Sequence, residues 1–167
     1  MIVLGIDPGY AIVGYGIVEE LEGKSRHITS GCILTEKSLE IPARLEIIYN
    51  GICKLIKDFK PETLIMEKVF FNKNVNTAIK TGEGRGVIML AASLSGIPVY
   101  EFTPLQIKQT VAGFGRASKE QVEKMVMLQL KLTGNFAHDD ESDALAVALC
   151  YLQQRKHLEA LERRSKH

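Results

Sequence analysis

Four acids in this 167-residue chain stand where carboxylates can do chemistry on phosphate. Asp140 and Asp143 are three apart at the start of an apolar helical pattern, so both project from one helix face with β-carbons about 5 to 6 Å apart. A helix N-terminus accommodates acids through its dipole, and simple capping by Asp139 or Asp140 would explain the pair taken alone. Asp7 and Glu67 change that reading, because each closes a short apolar run and so sits at the carboxyl end of a strand. Four carboxylates that converge without interleaved lysines repel one another unless a hard divalent cation neutralises them. Mg²⁺ is the natural guest, with Mn²⁺ as a substitute. Two such ions about 3.5 to 4 Å apart activate a water and stabilise the leaving oxygen during in-line attack at phosphorus.

The elements that must position these acids follow from the hydrophobic pattern. Met1 to Ile6 reads as a buried strand running into the Asp7-Pro8-Gly9 turn, and Ile12 to Glu19 and Arg26 to Thr35 as the next strands of an antiparallel meander, with bends at Gly14 and Gly16. Apolar residues at three and four predict a helix over Ile41 to Phe59, stopped by Lys60-Pro61. Thr63 to Met66 is a fourth strand, delivering Glu67 at its end. A long helix follows over Asn76 to Leu94, and its Gly82, Gly84 and Gly86 call for something packed closely on the backbone, a neighbouring helix in preference to phosphate. After a fifth strand, Ile97 to Phe102, two capping boxes open helices, Thr103-Pro104-Leu105-Gln106 and Ser118-Lys119-Glu120-Gln121. The first ends near Gly113; the second runs to about Leu132, with Gly134 closing it. The last helix begins near Asp139. The order βββαβαβααα predicts an α/β fold with a mixed five-stranded central sheet flanked by helices, in one domain over 1–155 with a charged, frayed tail over 156–167.

Composition sets the bounds. Apolar residues are 46% and charged residues 25%, values of a folded globular chain that exclude a disordered or collagenous one. No apolar run approaches the roughly 18 residues of a membrane span, and no leader is evident, so the expected address is the cytoplasm. Three widely spaced cysteines give no disulfide framework and read as buried thiols. The net charge of +1 conceals segregation. Residues 68–131 hold nine basic and four acidic groups, net +5, whereas 132–154 hold no basic and four acidic ones, net −4. A basic stretch beside an acidic cluster suits a protein that grips a polyanion against a cation site.

Gly5-Ile6-Asp7-Pro8-Gly9, Ile65-Met66-Glu67 with Phe70, Ile107-Lys108-Gln109-Thr110-Val111 with Gly113 and Gly115, and Asp140-Glu141-Ser142-Asp143-Ala144-Leu145-Ala146 occur in this order. Together they resemble the RuvC family of bacterial Holliday junction resolvases, and the resemblance spans nearly the whole chain. It implies a ribonuclease H-like fold and a homodimer that nicks two opposed strands of a four-way DNA junction with Mg²⁺. It also implies partnership with the RuvA and RuvB branch-migration proteins. Asp7, Glu67, Asp140 and Asp143 match the family's metal-binding carboxylates, with Asp7 as the bridging ligand. Asp140 receives only metal or water positioning, and the general base is left open. Asp139 and Glu141 flank the site as solvated acids, and His138 reads as an exposed loop histidine.

The same resemblance places Lys108 and Lys119 near the scissile phosphates, and both lie at or near a capped helix start, where the helix dipole adds to the ammonium's pull on phosphate. Arg116 lies in the same loop. Phe70 matches the family's aromatic that stacks on an unpaired base, with core packing as the alternative; Lys80 and Arg85 are weaker contacts. Competing readings are a junction-binding scaffold that does not cut, a ribonuclease H-like nuclease acting on another structured nucleic acid, and a phosphotransferase of the sugar kinase and actin superfamily. The last needs two such domains around ATP.

Overall fold

The computed structural model describes residues 1–68 and 75–165. Its centre is a five-stranded sheet in the order β3-β2-β1-β4-β5, formed by β1 (Ile2–Asp7), β2 (Ile12–Leu21), β3 (Lys24–Leu34), β4 (Thr63–Glu67) and β5 (Val99–Phe102). β1 to β3 pair antiparallel as the meander requires, while β4 and β5 add parallel to β1 through helical crossovers. Among the described residues five helices cover the sheet: α1 (Ile41–Phe59), α2 (Val75–Leu94), α3 (Pro104–Ala112), α4 (Lys119–Leu130) and α5 (Asp139–Ser165). The mixed sheet between helical layers agrees with the sequence pattern.

Alternation along β1 and β4 divides the apolar core between two faces. Leu4, Ile6, Leu64 and Met66 point to one side, where they meet Ile48 and Ile52 of α1 and Ile88, Ala91 and Ala92 of α2. Val3 and Ile65 point to the other, against Leu145, Ala148 and Leu149 of α5 and the inner residues of α3 and α4. Both capping boxes form: the Thr103 and Ser118 hydroxyls accept from the Gln106 and Gln121 amides, and each glutamine reaches back to the cap. These interactions satisfy orphan N–H groups and fix where α3 and α4 begin.

Four expectations need correction. Gly14 and Gly16 are there for close approach instead of bends: a β-carbon on Gly14 would lie 2.1 Å from the Asp140 carbonyl, and one on Gly16 would lie 2.6 Å from Leu145. Gly5 gives the same room to the Ala144 carbonyl. In α2, only Gly84 is closely approached, by the Gly9 carbonyl and Ile48, whereas β-carbons at Gly82 and Gly86 would meet no described residue. The second capped helix ends at Lys131, left-handed at φ 54°, whose N–H caps α4 before Gly134 is reached. Of the three thiols only Cys150 is fully buried.

Candidate active site

β1 and β4 are adjacent and parallel, so Asp7 and Glu67 emerge side by side at the same edge of the sheet. Parallel strands of α/β sheets gather ligand chemistry at this edge. α5 crosses behind β1 and β2 because Gly5, Gly14 and Gly16 remove the side chains that would hold it off. That close packing carries the first two turns of α5, with Asp140 and Asp143, to the ends of the two strands. The N-terminus of α5 is held by Glu141, which is buried: its carboxylate accepts from the His138 N–H at 3.3 Å and from Ser30 Oγ of β3 at 3.2 Å. Glu141 is therefore a brace and not a solvated acid. His138 is exposed, as expected.

The four acids share one electrostatic field. Burial, followed by the charges of Asp143, Glu67 and Asp140, pushes the Asp7 carboxyl up to about 7. Burial also raises Glu67, helped by Asp143 and opposed by Lys108 and Lys119. Asp143 is raised chiefly by burial, against the hydrogen bond it receives from Lys119. Like charges gathered in a desolvated corner hold protons, and these shifts express that cost.

Lys119, the first residue of α4, reaches into this corner. Its Nζ lies 2.8 Å from Asp143 Oδ2 and 3.5 Å from Asp139 Oδ2. Burial pulls its pKa down, but the hydrogen bond and charge of Asp143 outweigh this and hold it above the ordinary lysine value. With the side chains so disposed, no three histidine, cysteine, aspartate or glutamate groups among the described residues stand close enough to share one ion. The donor set nonetheless has the chemistry of a hard divalent cation, being all carboxylate oxygen, and an ammonium already serves as its counter-ion.

Beside the acids lies a cavity of about 260 Å³ lined by Glu67, Asp143, Lys108 and Lys119 together with apolar residues of α3, α4 and α5. Lys108 is one turn inside α3 and Lys119 is at the first position of α4, so two cations from separate helices border the same opening as two acids. Arg116 is exposed on the connection between these helices and does not line the cavity. Phe70 lies outside the described residues.

Sequence reasoning missed the role of Arg85. Its guanidinium pairs with Glu101 of β5 and donates to the Glu67 carbonyl at 3.2 Å, which ties α2, β4 and β5 together under the acid. The three residues come from three elements, and no local spacing signals the contact. Arg85 is thus engaged beneath Glu67 by partners from two other elements.

Comparison with known proteins extends this picture. Residues 3–151 match the family model described as Crossover junction endodeoxyribonuclease RuvC. The chain is 53% identical over 151 residues to a protein of that description from Moorella thermoacetica, covering 90% of each chain. It is 50% identical over 156 residues to one from Clostridioides difficile, covering 93% of this chain and 92% of the relative. Among solved structures it is similar to Thermus thermophilus RuvC in complex with Holliday junction substrate, with a TM-score of 0.90 and 33% identity over 94% of this chain and 96% of that one. The fold is ribonuclease H-like.

Proposed function

The chain belongs to the RuvC family of crossover junction endodeoxyribonucleases, and from that premise we propose that it resolves four-way DNA junctions by Mg²⁺-dependent hydrolysis, nicking two opposed strands symmetrically. Residues 1–155 form the nuclease domain, and the charged residues beyond it continue α5 to Ser165. The observation that carries the mechanism is the gathering of Asp7, Glu67, Asp140 and Asp143 from three distant stretches of chain at one sheet edge, beside a cavity lined by Lys108 and Lys119.

Asp7, Glu67, Asp140 and Asp143 would hold two divalent ions, Mg²⁺ or Mn²⁺, which when bound supply Lewis-acid stabilisation at phosphorus and lower the pKa of a water. Asp7, whose carboxyl is raised by burial and by the charges of Asp143, Glu67 and Asp140, would be a ligand that the other three acids surround electrostatically. Lys119 neutralises Asp143 in the free protein and, released from it, faces a phosphate at the cavity mouth. Lys108 contributes a second positive charge on the α3 side, and Arg116, exposed on the connection between α3 and α4, is assigned a further phosphate contact. Phe70, three residues after Glu67 in sequence and matching the family's stacking aromatic, is assigned the role of stacking on an unpaired base.

A junction presents two equivalent strands, so a two-fold dimer with two acidic centres matches its symmetry. The outward face of α2 supports this, since Ile79, Met89, Leu90 and Leu94 are exposed there beside the uncovered Gly82 and Gly86. Partnership with RuvA and RuvB rests on family membership alone.

The test is to incubate the protein with a synthetic mobile four-way junction and Mg²⁺, beside single-stranded, duplex and RNA-hybrid controls. Symmetric nicks confined to the junction and lost in Asp7→Asn support the proposal. Binding without nicks would favour a scaffold, and cutting of the controls alone would assign another substrate.

A further inference from the structure

Beside the turn that follows β1, a second cavity of about 470 Å³ is lined by Tyr10, Ala11, Lys37, Arg44, Lys80 and Thr81. We propose that this cavity is a second phosphate site, which grips the DNA backbone within a few nucleotides of the phosphate that is cut. The inference rests on the nuclease reading and adds a contact to it.

Its base is a buried guanidinium. Arg44, on the first turn of α1, is 7% exposed; its Nε donates to Thr35 Oγ1 at 3.0 Å, its Nη2 to the Tyr10 carbonyl at 3.4 Å, and its guanidinium carbon lies 3.9 Å from the centre of the Tyr10 ring. Thr35 Oγ1 in turn donates to the Tyr10 carbonyl at 2.8 Å, so the group is held in one orientation. Among the described residues no carboxylate forms an ion pair with Arg44, Lys37 or Lys80, and Arg44 Nη1 has no hydrogen-bond acceptor. Glu36 and Glu40 flank Lys37 in sequence, but neither lines the cavity. A buried guanidinium normally finds an anion, because desolvating it without one is costly. Here the ring face of Tyr10 offsets part of that cost, and two exposed lysines border the same space, with Lys80 Nζ 5.8 Å from the centre of that ring. Three cations with no lining acid among the described residues, one of them fixed with a fork of donors, describe a receptor for phosphate oxygens.

The chain path sets the distance. Tyr10 is three residues beyond Asp7, so their α-carbons are at most about 11 Å apart. A DNA strand rises about 3.4 Å per nucleotide, and the reach is therefore about three nucleotides. One turn of polypeptide would set an acidic cutting centre on one flank and a basic grip on the other, fixing the register of the strand between them.

The experiment measures binding of a fluorescent four-way junction by the full-length protein without divalent ions, across a range of salt, for wild type and for Lys37→Gln/Lys80→Gln. Arg44 stays in place to preserve the fold. If both lysines meet phosphate, the slope of log K against log salt falls by about two units in the double variant. In a second arm, neutral methylphosphonates replace single phosphates one to three nucleotides from the cut site; one of them should weaken wild type more than the double variant, which keeps only the Arg44 contact. An unchanged slope, or no sensitive position in that interval, overturns the proposal. In a third arm, the Arg44 Nε–H resonance is followed with the junction and with inorganic phosphate: a shift with DNA supports the assignment, whereas a shift with phosphate alone makes this a small-anion site and overturns it. Failure of wild type to bind the junction would instead remove the nuclease reading on which the proposal rests.

Discussion

Lys119 Nζ lies 2.8 Å from Asp143 Oδ2, so in the free protein an ammonium stands at a carboxylate assigned to metal. Divalent ions and this lysine therefore compete for Asp143. Hydrogen bonds to charged groups contribute about 1.5 to 3 kcal/mol, and removing this one should tighten Mn²⁺ binding about tenfold. Lys119→Gln is expected to bind Mn²⁺ more tightly by calorimetry while binding junction DNA more weakly, with a salt slope lower by about one unit. Weaker Mn²⁺ binding in the variant would show that the lysine supports the site instead of competing for it.

The acid cluster should make the metal-free protein lose stability as pH rises. The Asp7 carboxyl is raised from 3.8 to about 7, so between those values the folded state keeps a proton that the unfolded chain has released. The unfolded state then binds fewer protons, and stability falls with increasing pH across that window. At about 1.4 kcal/mol per pH unit the loss attributable to Asp7 is at most about 4 kcal/mol. Thermal melts in chelator should show Tm decreasing from pH 4 to pH 7 more steeply in wild type than in Asp7→Asn, and Mg²⁺ should restore the wild type at pH 8. Equal slopes in the two proteins would mean that Asp7 ionises as an ordinary surface acid.

The closeness of α5 to the sheet depends on glycine. In Gly14→Ala the new β-carbon would sit 2.1 Å from the Asp140 carbonyl, so the helix start must move away. Overpacking of this kind costs about 1 to 3 kcal/mol, and the displacement separates Asp140 from Asp7. We expect a lower urea midpoint and a loss of junction cutting that exceeds the loss of junction binding. A fully active Gly14→Ala enzyme would mean that the acids tolerate far looser placement.

Arg85 holds the end of β4 through the Glu67 carbonyl and is itself oriented by Glu101. Arg85→Gln should reduce the single-turnover cutting rate about tenfold or more with little change in junction affinity, whereas Arg85→Lys should recover part of the rate. A variant that loses affinity and keeps its rate at saturating enzyme would return Arg85 to the DNA interface.

These residues also mark how far the sequence could be read. Strands ending on acids, capping boxes and a helix start bearing two aspartates are local patterns, and β1, β4, α3, α4 and the start of α5 form as those patterns require. The purpose of Gly14 and Gly16 was hidden because a strand glycine signals a bend or a close neighbour equally, and only the crossing of α5, more than a hundred residues later, decides between them. Arg85 and Arg44 were opaque for the same reason: a charged residue on an amphipathic helix reads as surface until partners from other elements bury it. The capping of α4 by Lys131 escaped notice because a left-handed lysine leaves no mark that a glycine would.

The proposed cutting chemistry requires divalent ions in one pocket of carboxylates, and crystals soaked in Mn²⁺ test this directly through anomalous scattering. Peaks bounded by the carboxylates of Asp7, Glu67, Asp140 and Asp143, with Lys119 displaced from Asp143, are the expected result. Well-occupied manganese elsewhere on the protein, with the Lys119–Asp143 pair intact and no density among the four acids, would contradict it.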